Sequence, residues 1–369
     1  MEWQGEKLKK LAKDNKLPLS RLAGLVGVSR QTANDWVKGQ IPKGIHLISL
    51  CKIFSIMPDY FFVDTGSAIT IPVHRKRLNA KITPELQKDA LSLAREYEFF
   101  FRNESEAGVV PVIRTTDRSA DSAKKIAIKL REFSGVGKGR PLDLESAFNL
   151  LVQLGIKVVF RKFTDITKVY AFYTKIYGHR VIFVNTTISE IDIIFALIHE
   201  AVHAIRDEVQ VIDGYDAEEE GFCDLVANHV QFPDEYVVDV STAMKGLDSA
   251  AQVILLKNTA TTHRHALYGI VLRLEEHGVA LPPMPSIGGA NTNLRKKFNT
   301  LETLFFEDSD PRKFVAKLRK LSPLFVSAVV NQLDHLPTRK LGELFGVDDY
   351  IDADSIKQEL IKIRGLSEQ

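Results

Sequence analysis

Cysteine is almost absent from this 369-residue chain. Only Cys51 and Cys223 occur, far apart, so no disulfide framework organises the fold. No apolar run approaches the roughly 20 residues that span a bilayer. The N-terminus, MEWQGEKLKK, lacks the apolar core of a secretory signal. Excess charge is missing too: 49 Lys and Arg stand against 47 Asp and Glu. A nucleic-acid partner would therefore be met by a local patch rather than by a global field. There is no internal repeat and no low-complexity tract, which excludes a repeat architecture. Together these absences favour a cytoplasmic protein in a reducing compartment, with no membrane partner.

What is present fits a folded protein of several domains. Apolar residues make up 45% and charged residues 26%, as in soluble globular chains. The length exceeds one ordinary core, so two or three domains are expected. Short helical periods fill the first segment, and the expected boundary is residues 1–66. A Gly-, Ser- and Pro-containing stretch, TGSAITIPVHRKRLNAKITP, reads as a linker, and LQKDALSLAREYEFFFR reads as a spacer or docking helix. Linker and spacer together occupy 67–114. Residues 115–240 mix helix and strand. Helices near Ala123–Phe133 and Leu144–Leu154 precede strands at Lys157–Phe160, Val169–Lys175 and His179–Asn185. The last two strands flank a hairpin turn ending in Gly178. Residues 241–369 are mostly helical and carry no motif tied to chemistry.

The segment LSRLAGLVGVSRQTANDWVKGQIPK has the grammar of two short helices joined by a tight turn. Leu22, Ala23, Val26, Val28, Ala33 and Trp36 fall at helical spacing, and Gly27 suits a left-handed turn. Ser29 is placed to cap the second helix, leaving Arg30, Gln31, Thr32 and Asn34 near its start. That is the part of a helix-turn-helix that enters the major groove. Arg30 suits guanine edges, Gln31 and Asn34 suit adenine edges, and Lys38 with Lys43 suits phosphate. A small helical bundle that binds a partner protein is the other reading of the same pattern. At Leu22-Ala23, Gly27-Val28-Ser29, Trp36 and Gly39 the segment resembles the Cro/repressor (XRE) family, and the match extends to a final helix at Leu47 to Phe54. That resemblance implies an all-α DNA-binding domain whose contacts include Ser29, Arg30, Gln31, Thr32, Asn34 and Lys38.

The segment TTISEIDIIFALIHEAVHAI carries the strongest chemical signal. Thr187 and Glu190 form a capping-box pattern, and Ile191, Ile194, Phe195, Ile198, Val202 and Ile205 form an apolar stripe. His199-Glu200-x-x-His203 lies within that helix. Four residues is about one turn, so both imidazoles project from one face and can share a zinc ion, while Glu200 can reach a water on it. Downstream, DAEEEGFCDLVANHV opens a second helix with Asp216 as cap and Glu219 as its box partner. Glu220 and Asp224 stand one turn apart on it, as a glutamate ligand and an acidic residue orienting a ligand imidazole would. The bland alternative for this acidic run is a solvated helix start, and Glu218 and Glu219 are read that way.

From about Ala123 to Pro233 the chain resembles the ImmA/IrrE family of metallopeptidases. The resemblance rests on Leu130-Arg131, Leu154-Gly155-Ile156, Val184-Asn185, the HExxH helix, and Glu220 through Asp224 with Ala227 and Pro233. It implies a zincin-like, gluzincin-type α+β middle domain, between an all-α N-terminal domain and a mostly α C-terminal region. Two residues depart from the family pattern. Val202 stands where a glycine is usual and Cys223 where an alanine is usual. Neither is expected to touch a ligand, and Cys223 is read as a small buried residue.

The implied chemistry is peptide hydrolysis. Zn²⁺ held by His199, His203 and Glu220 lowers the pKa of water, and Glu200 takes its proton and later delivers it to the leaving amine. Asp224 orients a ligand. Val169–Lys175 or His179–Asn185 is expected to hold substrate by strand addition. Tyr215, His229 and Tyr236 are near in sequence, but none is assigned to the oxyanion, and His229 falls on roughly the opposite face from Glu220. By resemblance, the partners are double-stranded DNA at an operator-like site and a protein substrate, a helix-turn-helix repressor of stress or mobile-element genes. A homodimer is also expected. A transcriptional regulator that uses the zincin fold as a sensor or dimerisation unit, with little proteolysis, is the alternative.

Overall fold

The structure is a computed structural model. It describes residues 2–3, 5–54, 56, 61–63, 69–70, 84–102, 104, 112–163, 169–207 and 216–367. The chain divides into two units, Met1–Ala68 and Ile69–Gln369.

In the first unit, strand β1 (Glu2–Trp3) pairs antiparallel with β2 (Phe62–Val63) beside four helices. The helices are α1 (Gly5–Asp14), α2 (Leu19–Val26), α3 (Arg30–Val37) and α4 (Gly44–Phe54). Gly27 stands between α2 and α3 at φ 79°, ψ 35°, a left-handed conformation that a Cβ would disfavour. Ser29 then caps α3, its hydroxyl accepting the Thr32 N–H at 3.1 Å. Leu22, Ala23, Ala33 and Trp36 are buried with Leu8, Leu50 and Trp3, so spacing alone identified much of this core. Val26 and Val28, expected on the same face, are only partly buried against it. Trp3 ties the terminal strand down by donating its indole N–H to the Trp36 carbonyl at 2.6 Å.

The second unit is mostly helical around a mixed sheet. Its early elements are β3 (Ile69–Thr70), α5 (Pro84–Arg95), α6 (Glu98–Phe101), α7 (Ala120–Ser134), α8 (Leu144–Gln153), β4 (Lys157–Arg161), β5 (Ala171–Ile176) and β6 (His179–Asn185). The sheet order is β3-β5-β6-β4, with β4 parallel to β6 and the other pairs antiparallel. Tyr177 and Gly178 both take positive φ, 47° and 83°, the signature of a two-residue turn matched to strand twist. Asn185 closes β6: its Oδ1 accepts the Thr187 N–H at 3.1 Å and its amide donates to the Val169 carbonyl at 3.2 Å.

Two long helices then cross the unit, α9 (Glu190–Arg206) and α10 (Ala217–Gln231), with α9 packed on β5 and β6. Every residue of α9 except Asp192 and Phe195 is buried, so this helix is core on all sides rather than along one stripe. Its cap is Ser189, not Thr187. Glu190 does not return to a capping box, because its carboxylate pairs with Arg264 at 2.5 Å. Arg131 of α7 is buried and donates to the Val230, Gly137 and Arg140 carbonyls, joining α7 to the end of α10.

The remaining helices are α11 (Asp234–Met244), α12 (Ser249–His263), α13 (Leu267–Glu276), α14 (Met284–Arg295), α15 (Leu301–Phe306), α16 (Pro311–Leu321), α17 (Pro323–Asn331), α18 (Thr338–Phe345) and α19 (Tyr350–Ser367). They share the unit of the sheet. Ile191 of α9 belongs to the cluster formed by α11 to α14, and Phe325 of α17 meets Tyr97 and Phe100. Tyr97, Phe100 and Phe101 are themselves buried, and the Tyr97 hydroxyl donates to the Leu344 carbonyl at 2.8 Å. The helical segment after the linker therefore belongs to the core here and is not a free spacer. Most of the linker lies outside the described residues, but Ile69 and Thr70 extend the sheet beside Ile176 and Lys175.

Candidate metal centre

His199 and His203 stand one turn apart on α9, and α10 crosses beside them to supply Glu220. The ligand atoms of these three residues all lie within 4.8 Å of one another. The two Nε2 atoms are 3.1 Å apart, and the Glu220 oxygens lie 3.3 Å from His199 Nε2 and 3.1 Å from His203 Nε2. Two imidazole lone pairs and a carboxylate converge here, a donor set that repels itself unless a positive charge lies between the three. Both histidines are buried, so bulk water does not screen that repulsion.

The titration of the site points the same way. Burial favours neutral Glu220, but its hydrogen bonds to His199 and His203 outweigh that and lower its pKa to about 2. Burial also opposes charge on His199, yet hydrogen bonds to Asp224 and Glu220 raise its pKa. For His203 the same opposition is overcome by Cys223 and Glu220. The cluster is built to hold positive charge, and nitrogen and oxygen donors in this number suit zinc.

Neighbouring groups orient the donors. Asp224 Oδ1 lies 2.8 Å from His199 Nδ1, which directs the other ring nitrogen, Nε2, toward the cluster. Cys223 Sγ lies 3.6 Å from His203 Nδ1, so the expectation that this departure touches no ligand is corrected. Three residues past Glu220, it shares the face of α10 that looks at α9. Glu219 corrects a second expectation. It is buried, and its carboxylate joins Arg206 at 2.6 Å and Arg118 at 2.8 Å, while Glu218 stays exposed. Asp216 does cap α10, accepting the Glu218 and Glu219 N–H groups at 3.0 and 3.2 Å. Arg206 closes α9 as Glu219 opens α10, so this pair fixes the crossing of the two ligand-bearing helices.

Glu200 is fully buried beside the cluster, and burial raises its pKa to about 7. Its Oε2 accepts the Tyr173 N–H of β5 at 2.9 Å, and its Oε1 has no hydrogen-bond partner among the described residues. The Tyr173 hydroxyl in turn donates to Asp207 at 2.8 Å, and Asp207 also takes Arg180 at 2.7 Å. The end of α9 is thereby pinned to the sheet. Strand β6 is flanked on both sides by β5 and β4, so His179–Asn185 cannot accept an added strand. Among the described residues, β5 pairs with β3 at Lys175 and Ile176.

Of the three residues near the motif in sequence and left unassigned, two are engaged elsewhere. Tyr236 hydrogen-bonds His265 at 2.7 Å, and His229 lies against Arg273 and Glu276. Tyr215 lies outside the described residues. In the first unit, Ser29, Arg30, Gln31 and Lys38 are exposed, and Thr32 and Asn34 are half-buried. Gln31 donates to Asp35 at 2.9 Å, one turn on along α3.

A His-His-Glu cluster beside a buried glutamate, on two crossed helices against a small sheet, defines a metallopeptidase-like centre. In agreement, a family model described as the IrrE N-terminal-like domain, a peptidase family, matches residues 152–258. The match runs from the end of α8 through β4, β5, β6, α9, α10 and α11 into α12. It leaves the first unit, β3, α5 to α7, most of α8 and α13 to α19 outside the match. No curated protein matches the chain. Among the described residues, no helix is long and apolar enough to cross a membrane.

Proposed function

We propose that the protein is a DNA-binding, zinc-dependent regulatory endopeptidase whose substrate is a helix-turn-helix repressor. The observation that carries the enzymatic half is Glu200. A metal site used only for structure or sensing has no need of a buried carboxylate held at one oxygen by a backbone N–H, with the other oxygen unpartnered. A zinc ion bound by His199, His203 and Glu220 supplies Lewis acidity, acidifying water and polarising a peptide carbonyl. Glu200 Oε1 receives the water proton and returns it to the leaving amine. Asp224 holds His199 in one tautomer throughout. Among the described residues, the outer edge of β5 at Ala171–Thr174 pairs with no strand and, apart from the Tyr173 N–H held by Glu200, offers backbone groups for an extended substrate.

The regulatory half rests on α3. Its exposed Arg30, Gln31 and Lys38 are base-reading and phosphate-binding types at the start and end of a short capped helix. We read double-stranded DNA as their partner, with DNA binding bringing the enzyme to its substrate near a promoter.

The test compares wild type with Glu200→Gln in metal analysis and in cleavage of a helix-turn-helix repressor encoded beside this chain. Both proteins should bind one zinc, and Glu200→Gln should cleave roughly 10²–10⁴-fold more slowly. Equal fates of the repressor with both proteins would remove the peptidase and leave a sensor.

A further inference from the structure

A cavity of about 950 Å³ lies between α9 and α10 on one side and α13 and α14 on the other. Ligand cavities run to roughly 300–1,000 Å³, so this one exceeds the needs of a single side chain. It joins the metal centre through shared residues. Asp224, within hydrogen-bonding reach of His199, lines it, and so does Phe195, whose ring stacks 6.4 Å from that of His199. Phe195 and Asp192 are the two α9 residues that escape burial, and both face this space.

Its far wall is apolar and exposed. Tyr268 and Leu272 of α13 and Met284 of α14 remain 42%, 51% and 52% accessible, although most apolar residues of these helices are buried. Its rim is acidic. Asp192, Asp224, Glu275 and Glu276 line the cavity; Asp192 is paired with Arg295 at 2.6 Å and Glu276 with Arg273, so four carboxylates meet two guanidinium groups.

We infer that this cavity is the specificity subsite of the metal centre and takes a substrate segment with bulky apolar side chains flanked by lysine or arginine. Apolar walls select the large side chains by removing them from water, and the carboxylate rim selects basic neighbours. The opposing wall lies outside the matched family domain, so α13 and α14 add a preference that the matched domain alone does not carry. The inference rests on the peptidase reading for the word substrate, but its binding is measurable without turnover.

The test uses the full-length, zinc-loaded Glu200→Gln protein and three dye-labelled ten-residue peptides. One has a central leucine–phenylalanine pair flanked by lysines. The second replaces the apolar pair with serines, and the third replaces the lysines with glutamates. The first peptide should bind at least about tenfold tighter than either other, a difference of about 1.4 kcal/mol. Adding Leu272→Gln and Met284→Gln should erase that advantage. Both are exposed, so zinc content and melting temperature should hold. Equal binding of the three peptides, or full binding by the double variant, overturns the subsite. Wild-type hydrolysis of the first peptide is scored separately. Cleavage without discrimination removes the subsite and keeps the peptidase, whereas discrimination without cleavage keeps the subsite and removes the peptidase.

Discussion

Helices α3 and α9 both carry a run of polar residues behind a serine cap, and they place those residues in opposite surroundings. On α3, Arg30, Gln31 and Lys38 face water. On α9, His199, Glu200 and His203 are buried within a largely apolar helix that is core on all sides. A buried polar group costs free energy unless it finds a partner, so the surroundings of α9 constrain what those residues do. Water satisfies the α3 residues whether or not DNA ever arrives. Their geometry is compatible with base reading without requiring it. The informative side chains are the ones that would be costly where they are if they did nothing.

The largest effect should follow from breaking the buried side of that contrast. His203→Ala should abolish stoichiometric zinc binding, read by metal analysis of the purified chain. Asp224→Asn should only weaken it, by roughly 10–100-fold, as changes to a ligand's hydrogen-bond partner do. Equal losses in the two variants would show that Asp224 is itself a ligand rather than the residue that orients His199.

Next in size is the Arg206–Glu219 pair, where both side chains are nearly fully buried. Arg206→Ala takes one of two guanidinium partners from the buried Glu219 carboxylate and should cost about 3–5 kcal/mol in denaturant unfolding. Arg206→Met with Glu219→Leu should recover much of that loss, since apolar pairs often replace buried ion pairs without penalty. The same pair gives a pH dependence. Burial raises the Glu219 pKa, but Arg206 and Arg118 together bring it below its ordinary 4.5. A carboxylate with a depressed folded pKa contributes stability that is complete above its unfolded value and is lost as pH falls through the folded one. Thermal stability should therefore drop below about pH 4.5, and less steeply in the double variant.

How much of this was legible beforehand follows the same contrast. His199, Glu200 and His203 could be read because polar residues interrupt an apolar stripe at one-turn spacing, and Glu220 because Asp224 follows it by one turn. Cys223 was legible in principle, since it lies three residues past Glu220 on the same face, and its contact with His203 was missed. The start of α9 was not decidable locally. Thr187 with Glu190 and Ser189 with Asp192 offer the same pattern in two registers, and both acids turn to distant arginines, Glu190 to Arg264 and Asp192 to Arg295. Glu219 was misread for the same kind of reason, because its partners Arg206 and Arg118 come from other elements. The cavity wall was beyond local reading altogether. No periodicity near residue 195 foretells that α13 and α14 will stand across from it.

On the exposed side the effects should be smaller. Arg30→Ala with Gln31→Ala should cost about 1–3 kcal/mol per lost base contact against a specific DNA site, measured by fluorescence anisotropy. Gln31 has first to release Asp35, an exposed hydrogen bond of little net worth. Lys38→Ala should weaken all sequences alike and flatten the salt dependence by about one unit of slope. If the paired change lowers affinity equally for every sequence, α3 contacts backbone only.

The smallest effect, from Ser29→Ala, separates folding of α3 from its use. The Ser29 hydroxyl accepts the Thr32 N–H and also contacts the Thr32 hydroxyl at 2.9 Å, so it is engaged inside the helix start. Removing it should cost about 1 kcal/mol of stability through the lost cap. DNA affinity should then fall only as far as the helix frays, and raising salt should not change the ratio between variant and wild type. A salt-dependent ratio would mean that Ser29 or the α3 N-terminus touches phosphate directly, and would move it from the scaffold of the helix to its binding face.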